Sequence, residues 1–275
     1  MSASQQTLPQ QMALLTKHGK EALIAPILQD SLGLSLIHTN TFDTDTLGTF
    51  DGAVARTLNA KQCALKKARL ACELTGSSIG LGSEGSFNSE FGLGIIDQEV
   101  LAYVDTEKNI EIIAIAAQPI NLAPFTAQNP EDLREKWERF SPYQAWHLNK
   151  DGSANSSALV KGLLGIENLL EACETHGYPA NFSPDFRAMN CPERKAVIAL
   201  AAKDLVNRLK AFCPSCNAPN FVYAQIISGL PCEICATPTS QMKAKRAICE
   251  SCDHSDEKES EKPEASAFYC EMCNP

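Results

Sequence analysis

No apolar run in this sequence is long enough to cross a bilayer. The strongest, Ile112 to Ala117, falls far short of the ~20 residues a spanning helix needs. The first stretch, Met1 to Gln11, is polar and has no Lys or Arg, and the long apolar run of a signal peptide is lacking, so none is expected there. Positive charge is also scarce: 24 Lys and Arg face 33 Asp and Glu, for a formal net charge of −9. Such a chain is a poor default partner for nucleic acid or an anionic membrane. No long-period repeat is visible before the last quarter of the chain. Together these absences lead to the expectation of a cytoplasmic protein. There, the twelve cysteines should be metal ligands and buried thiols, not disulfides.

Eight of the twelve stand in the last 63 residues as four Cys-x-x-Cys pairs: Cys213/Cys216, Cys232/Cys235, Cys249/Cys252 and Cys270/Cys273. Each pair forms a tight knuckle that offers two thiolates to one metal ion. Zinc takes four ligands in a tetrahedron, so the expected cofactors are two structural Zn²⁺ in closed four-cysteine sites. Gaps of 15, 13 and 17 residues fit both sequential and interleaved pairing of the knuckles. The short middle gap suggests a hairpin between the second and third pairs, which favours sequential pairing. His254 stands close enough to Cys252 to be a ligand, but no ligand is missing. Nine acids against five bases leave this segment without the footprint of a nucleic-acid binder. Its few large apolar residues, among them Phe221, Tyr223, Ile226 and Leu230, form too small a core to fold without metal. Asp253 to Ser266 reads as a charged, low-complexity loop. The other four cysteines, Cys63, Cys72, Cys173 and Cys191, lack paired spacing and read as small core residues.

Upstream, the pattern predicts an α/β body of a mixed sheet with flanking helices. Residues 1–11 read as a disordered arm, 12–211 as the body and 212–275 as a small ribbon-like zinc domain. Met12 to Thr16 reads as a strand. A helix with Leu23, Ile24, Ile27 and Leu28 on one face follows and ends at Gly33. Leu34 to Ile37 is a second strand and Thr41 to Asp51 a polar loop. A second helix runs from Ala60 to Leu74 and stops at Gly76. Ile79 to Gly82 reads as a strand and Ser83 to Ser86 as a tight turn. Glu99 to Asp105 and Ile110 to Ala117 form a hairpin. Asn129 caps a helix from Pro130 anchored by Trp137 and Phe140, and Tyr143 to Leu148 is a further strand. A loop from Lys150 to Ser157 precedes a helix from Leu163 to His176. Asn190, with Glu193 three residues on, reads as the cap of a long helix that delivers the chain to Cys213.

Between the first strand and helix lies Thr16-Lys17-His18-Gly19-Lys20-Glu21. A Gly and two Lys at a helix start suit a phosphate, although this is not a Walker loop. The polar residues of the body suggest a site. Asp43, Asp45 and Glu84 could hold a Mg²⁺, while Lys20, Arg56 and Lys67 could clamp phosphates. Asp185, Arg187, Asn190 and Arg194 could form its second half, or a helix cap with a salt bridge. Glu84 is expected to face the Lys17–Glu21 loop across the carboxyl ends of neighbouring parallel strands, with the acidic loop beside it.

Two resemblances accompany these residues. The order Thr16…Lys20, Ala64-x-x-Lys67-Ala68 and Glu84-Gly85 resembles the pyrophosphohydrolases that clear inosine and xanthosine triphosphates. His18, Cys63 and the single Glu84 depart from that pattern. Over nearly the whole chain, five motifs are similar to an uncharacterised bacterial family catalogued as a domain of unknown function with a Cys-rich C-terminus. They are Lys17-His18-Gly19-Lys20-Glu21, Asp43-Thr44-Asp45-x-x-Gly48-Thr49-Phe50, Ser83-Glu84-Gly85-Ser86-Phe87, Asp185-x-Arg187-Ala188-x-Asn190-x-Pro192-x-Arg194 and Cys270-x-x-Cys273-Asn274-Pro275. That resemblance implies no activity. Two functions are therefore carried forward. One is a Mg²⁺-dependent phosphohydrolase acting on a nucleotide or another phosphorylated small molecule. The other is a non-enzymatic adaptor that docks a protein partner through its zinc domain.

Overall fold

A computed structural model describes residues 11–16, 19–47, 58–88, 94–151 and 158–275. It divides into two compact units, one ending at Leu205 and the other running from Val206 to Pro275. No helix among the described residues is long and apolar enough to cross a membrane.

The first unit begins with β1 (Gln11–Leu15), α1 (Glu21–Leu32), β2 (Ser35–Thr39) and, after a 3-10 turn, α2 (Ala60–Thr75). Then come β3 (Ile79–Asn88), β4 (Ile95–Asp105) and β5 (Ile110–Ile120). Gly33 and Gly76 end the two helices in the left-handed conformation, as their positions after the last apolar residue predict. Asn59 and Gln62 start α2 with a reciprocal capping box. The five strands form one mixed sheet in the order β2-β1-β3-β4-β5. β1 is parallel to both β2 and β3, while β3, β4 and β5 pair antiparallel.

The segment Ser83 to Ser86 is not a tight turn. It is the middle of β3, which continues to Asn88 in unbroken register with β4. Gly and Ser suggested a turn, but here the glycines permit close approach. An added Cβ on Gly80 would lie 2.0 Å from the Ala68 carbonyl oxygen, and one on Gly82 would lie 1.9 Å from that of Ala64. α2 therefore lies directly on the β3 backbone, with Ala64 and Ala68 packed against Val100, Ala102 and Val104. Ala13 and Leu15 of β1 meet Ala71 on the same face.

The chain continues through β6 (Phe125–Ala127), α3 (Pro130–Trp137), β7 (Ala145–Asn149), β8 (Ala158–Leu164), α4 (Ile166–His176) and β9 (Ala180–Pro184). These strands make a second sheet, antiparallel throughout, in the order β6-β9-β7-β8. Its core is aromatic: Trp146 and Phe182 are fully buried, and Phe125 contacts both of their rings. Phe140 and Trp137 pack on this cluster, as expected of anchors. β8 extends to Leu164, so the helix begins at Ile166 and not at Leu163. α5 (Pro192–Lys210) follows, but Asn190 does not cap it. The Asn190 side chain donates to Asp185 instead, and the Arg194 N–H points at Cys191 Sγ, 3.5 Å away.

The second unit is a three-stranded antiparallel meander of β10 (Gln225–Ser228), β11 (Met242–Ile248) and β12 (Ser255–Glu259). β12 occupies part of the segment expected to be a charged loop. Its five side chains are exposed, so no apolar face marks it as a strand.

Gly82→Ala should destabilise the protein by about 1–3 kcal/mol, the usual cost of overpacking, because α2 must move off the sheet to admit the methyl group. A lowered denaturant midpoint at unchanged m-value is the expected readout.

Candidate metal centres and a buried charge cluster

An antiparallel meander sends alternate connections to opposite ends of the sheet. Gln225, at the start of β10, pairs with Arg246 near the end of β11, so the first and third knuckles meet at one end. Ser228 pairs with Met242, and Ala244 with Glu259, so the second and fourth meet at the other. The pairing is therefore interleaved: Cys213, Cys216, Cys249 and Cys252 form one group, and Cys232, Cys235, Cys270 and Cys273 the other. This corrects the expectation of sequential pairing. A hairpin brings its strands together but separates the knuckle in its turn from the one that follows it.

Both groups fit a metal ion. Within each, the sulfurs lie within 4.8 Å of one another. Cys213–Cys252 and Cys216–Cys249 are 3.7 and 3.5 Å apart, and Cys232–Cys273 and Cys235–Cys270 are 3.9 and 3.6 Å apart. Disulfide sulfurs sit about 2.05 Å apart, whereas a tetrahedron of Zn–S bonds near 2.3 Å has edges of about 3.8 Å. All eight cysteines are free. His254 is not among the ligands; its ring lies 5.5 Å from that of Phe221.

The first unit holds a different kind of site. Glu99 of β4 is buried, and each of its carboxylate oxygens has a cation. Lys20 Nζ lies 2.8 Å from Oε2 and Arg194 Nε 2.6 Å from Oε1. Burial alone would raise the Glu99 carboxyl, but Lys20 and Arg194 outweigh it and hold the group below the usual range. Lys20 also donates to Ser83 Oγ at 2.9 Å, and its burial lowers its own ammonium. Arg194 donates to the Phe186 carbonyl and lies over the Phe87 ring, 5.2 Å from its centre. Gly85 makes room for this pair, since a Cβ there would fall 2.4 Å from Glu99 Oε1. Two residues before Glu99, Asp97 points to the same face. It is fully buried, and neither carboxylate oxygen has a hydrogen-bond partner among the described residues. Burial and the neighbouring Glu99 push its carboxyl up to about 7.

Lys20 follows the carboxyl end of β1 and Glu84 lies in the middle of the neighbouring β3, just past its last pairing with β1, but the two side chains do not face each other. Successive strand residues alternate between faces. Ser83 therefore meets Lys20, and Glu84 turns to α2, where Lys67 Nζ lies 2.5 Å and Cys63 Sγ 3.3 Å from Oε2. Asp43 is exposed beside the 3-10 turn. The Asp45 side chain, Arg56 and residues 48–51 lie outside the described residues. Among the described residues the groups of three or more His, Cys, Asp or Glu side chains suited to a metal are the two cysteine quartets.

Asp185 organises a third polar knot. It accepts from Arg187 and from Asn190 Nδ2 at 2.6 Å, and His147 Nε2 lies 3.6 Å away. Burial would raise the Asp185 carboxyl; the Arg187 hydrogen bonds outweigh it and keep it low. Of the four residues grouped from sequence, Arg194 alone leaves this knot to join Glu99. Met189, between them, sits over Gly19, where a Cβ would meet its Cγ at 2.9 Å.

Residues 67–275 match the family described as a domain of unknown function, DUF6671. The chain belongs to this family. Among curated proteins none matches it. In this DUF6671 chain, residues of three of the motifs meet physically: Lys20 from the first, Ser83, Gly85 and Phe87 from the β3 motif, and Phe186 and Arg194 from the Asp185 motif. Asp97, Glu99 and His147 were missed from sequence. The signal for the first two was two acids two residues apart, hence on one face, at the start of an otherwise apolar strand.

Because Asp97 holds its proton more tightly when folded, it favours folding at acid pH. That contribution is lost as the pH rises from about 3.8 to about 7. Asp97→Asn should therefore raise stability at pH 8 by about 1–3 kcal/mol, the cost of a buried unsatisfied group, with little change at pH 4. Chemical denaturation at the two pH values measures the difference.

Proposed function

We propose that this protein binds two Zn²⁺ as structural ions and acts as a cytoplasmic binding or adaptor protein that engages a partner through its C-terminal unit. The observation that carries this reading is the pair of cysteine quartets, each with the edge lengths of a closed tetrahedral zinc site. Four thiolates leave no open coordination position, so the metal would hold the unit together without touching a substrate. The chemistry zinc supplies here is cross-linking. Cys213, Cys216, Cys249 and Cys252 would hold one ion, and Cys232, Cys235, Cys270 and Cys273 the other. Protein purified under reducing conditions should contain two zinc ions per chain. Cys232→Ser should leave about one, and the C-terminal unit should then be cut by protease while the first unit survives. One zinc or none in the unmodified protein would defeat this reading.

A second reading is a Mg²⁺-dependent phosphohydrolase acting on a nucleotide or other phosphate ester. It is favoured by the gathering of Lys20, Ser83, Glu84, Lys67 and Glu99 just past the carboxyl end of β1, where α/β sheets place ligands. It ranks second because these cations and carboxylates already satisfy one another. Phosphate would have to compete with Glu99 for Lys20 and with Glu84 for Lys67. On this reading a panel of nucleoside triphosphates is turned over with Mg²⁺, and Glu84→Gln lowers the rate at least about 100-fold with both zinc ions retained. Absence of Mg²⁺-dependent turnover across the panel removes it.

A further inference from the structure

The two cysteine quartets differ in what surrounds them. In the knuckles of the first, Ser215 and Ser251 occupy the position before the second cysteine. In the second quartet that position holds Ile234 and Met272, each 73% exposed. Phe268, 71% exposed, and Tyr269, about half exposed, stand immediately before Cys270. Every one of these four apolar side chains is within two residues of a ligand of the same quartet.

Hydrogen bonds tie its two segments together. Glu233 N–H donates to the Ala265 carbonyl, Ala267 N–H to Glu233 Oε1, and Asn274 Nδ2 to the Phe268 carbonyl. The Phe268 and Tyr269 rings meet edge-on at 5.2 Å. Exposed apolar side chains carried around one quartet on a hydrogen-bonded scaffold have the form of an interaction site.

Its charge says what kind of partner fits. The segments that carry it, residues 229–242 and 260–275, hold Glu233, Glu261, Glu264 and Glu271 against the single base Lys262. A zinc ion with four thiolates adds two further negative charges. A second copy of this face, a nucleic acid or an anionic membrane would bring like charge to it. We propose that the face formed by Ile234, Phe268, Tyr269 and Met272 docks a basic amphipathic segment of a partner protein, with apolar anchors seated among these side chains and flanking Lys or Arg against these acidic residues. This inference rests on the structural-zinc reading, because the metal sets the positions of both knuckles.

The test uses the full-length protein with its zinc content measured. The probe is a fluorescent helical peptide of about 18 residues with a Leu face and a Lys face. Its comparators are the same peptide with Glu for Lys, and vesicles of neutral and of anionic lipid. Saturable, salt-sensitive binding of the Leu/Lys peptide is expected, weakened about tenfold or more by Ile234→Ser with Met272→Ser. That double variant copies the knuckles of the first quartet and should keep two zinc ions. Should it lose metal, Phe268→Ser lies outside both knuckles and should weaken binding in the same direction. Four results would overturn the inference: no saturable binding, equal binding by the variants, preference for the Glu peptide or for vesicles, or self-association that the variants abolish. A protein with two zinc ions that fails to bind the peptide overturns this inference alone. A protein lacking zinc overturns the reading beneath it.

Discussion

One buried carboxylate joins the first unit together. Glu99 sits mid-sheet and takes a cation on each oxygen: Lys20 from the start of α1 and Arg194 from the first turn of α5. These three residues are 79 and 95 positions apart in the chain. Removing a partner from such a group leaves a buried charge uncompensated, at a typical cost of about 3–5 kcal/mol. Neighbouring features follow from the pair. Gly85 is small because the ions occupy its Cβ position, Ser83 completes the Lys20 ammonium, and Phe87 lies beneath the guanidinium.

The same face leaves Asp97 without a donor among the described residues although it adjoins two cations. Both of those cations are already engaged by Glu99. A buried acid so placed persists most easily as the neutral carboxyl, and burial with the neighbouring Glu99 pushes it up to about 7. The cluster thus combines a permanently charged pair with one group that exchanges its proton near neutrality. The contrast between these neighbouring carboxyls follows from which of them Lys20 and Arg194 bond.

In the second unit a different constraint rules. Two cysteines of one knuckle are placed by local turn geometry, but a quartet requires two knuckles to arrive at the same end of a sheet. The meander of β10, β11 and β12 does this twice, once at each end. The apolar core is correspondingly slight: Phe221, Ala218 and Ala247 with the ligands Cys213 and Cys249. Cross-linking by metal would stand in for the core that so short a chain cannot build.

Local chemistry was legible in the sequence. Helix ends at Gly33 and Gly76, the Asn129 cap, the β4–β5 hairpin and the four knuckles depend on residues close together in the chain, and spacing alone carries them. β12 was invisible because an exposed strand needs no apolar alternation, and Ser83–Ser86 read as a turn because its glycine, Gly85, serves an ion pair brought in from elsewhere in the chain. Membership of an uncharacterised family was also apparent from the motifs. Tertiary structure alone decided which groups meet. Strand alternation sent Glu84 to Lys67 and left Lys20 to Glu99, although both acids lie near the same sheet end. Meander topology joined the first knuckle to the third. Pairing across tens of residues depends on strand order, register and face, and one sequence read along its length contains no direct measure of any of the three.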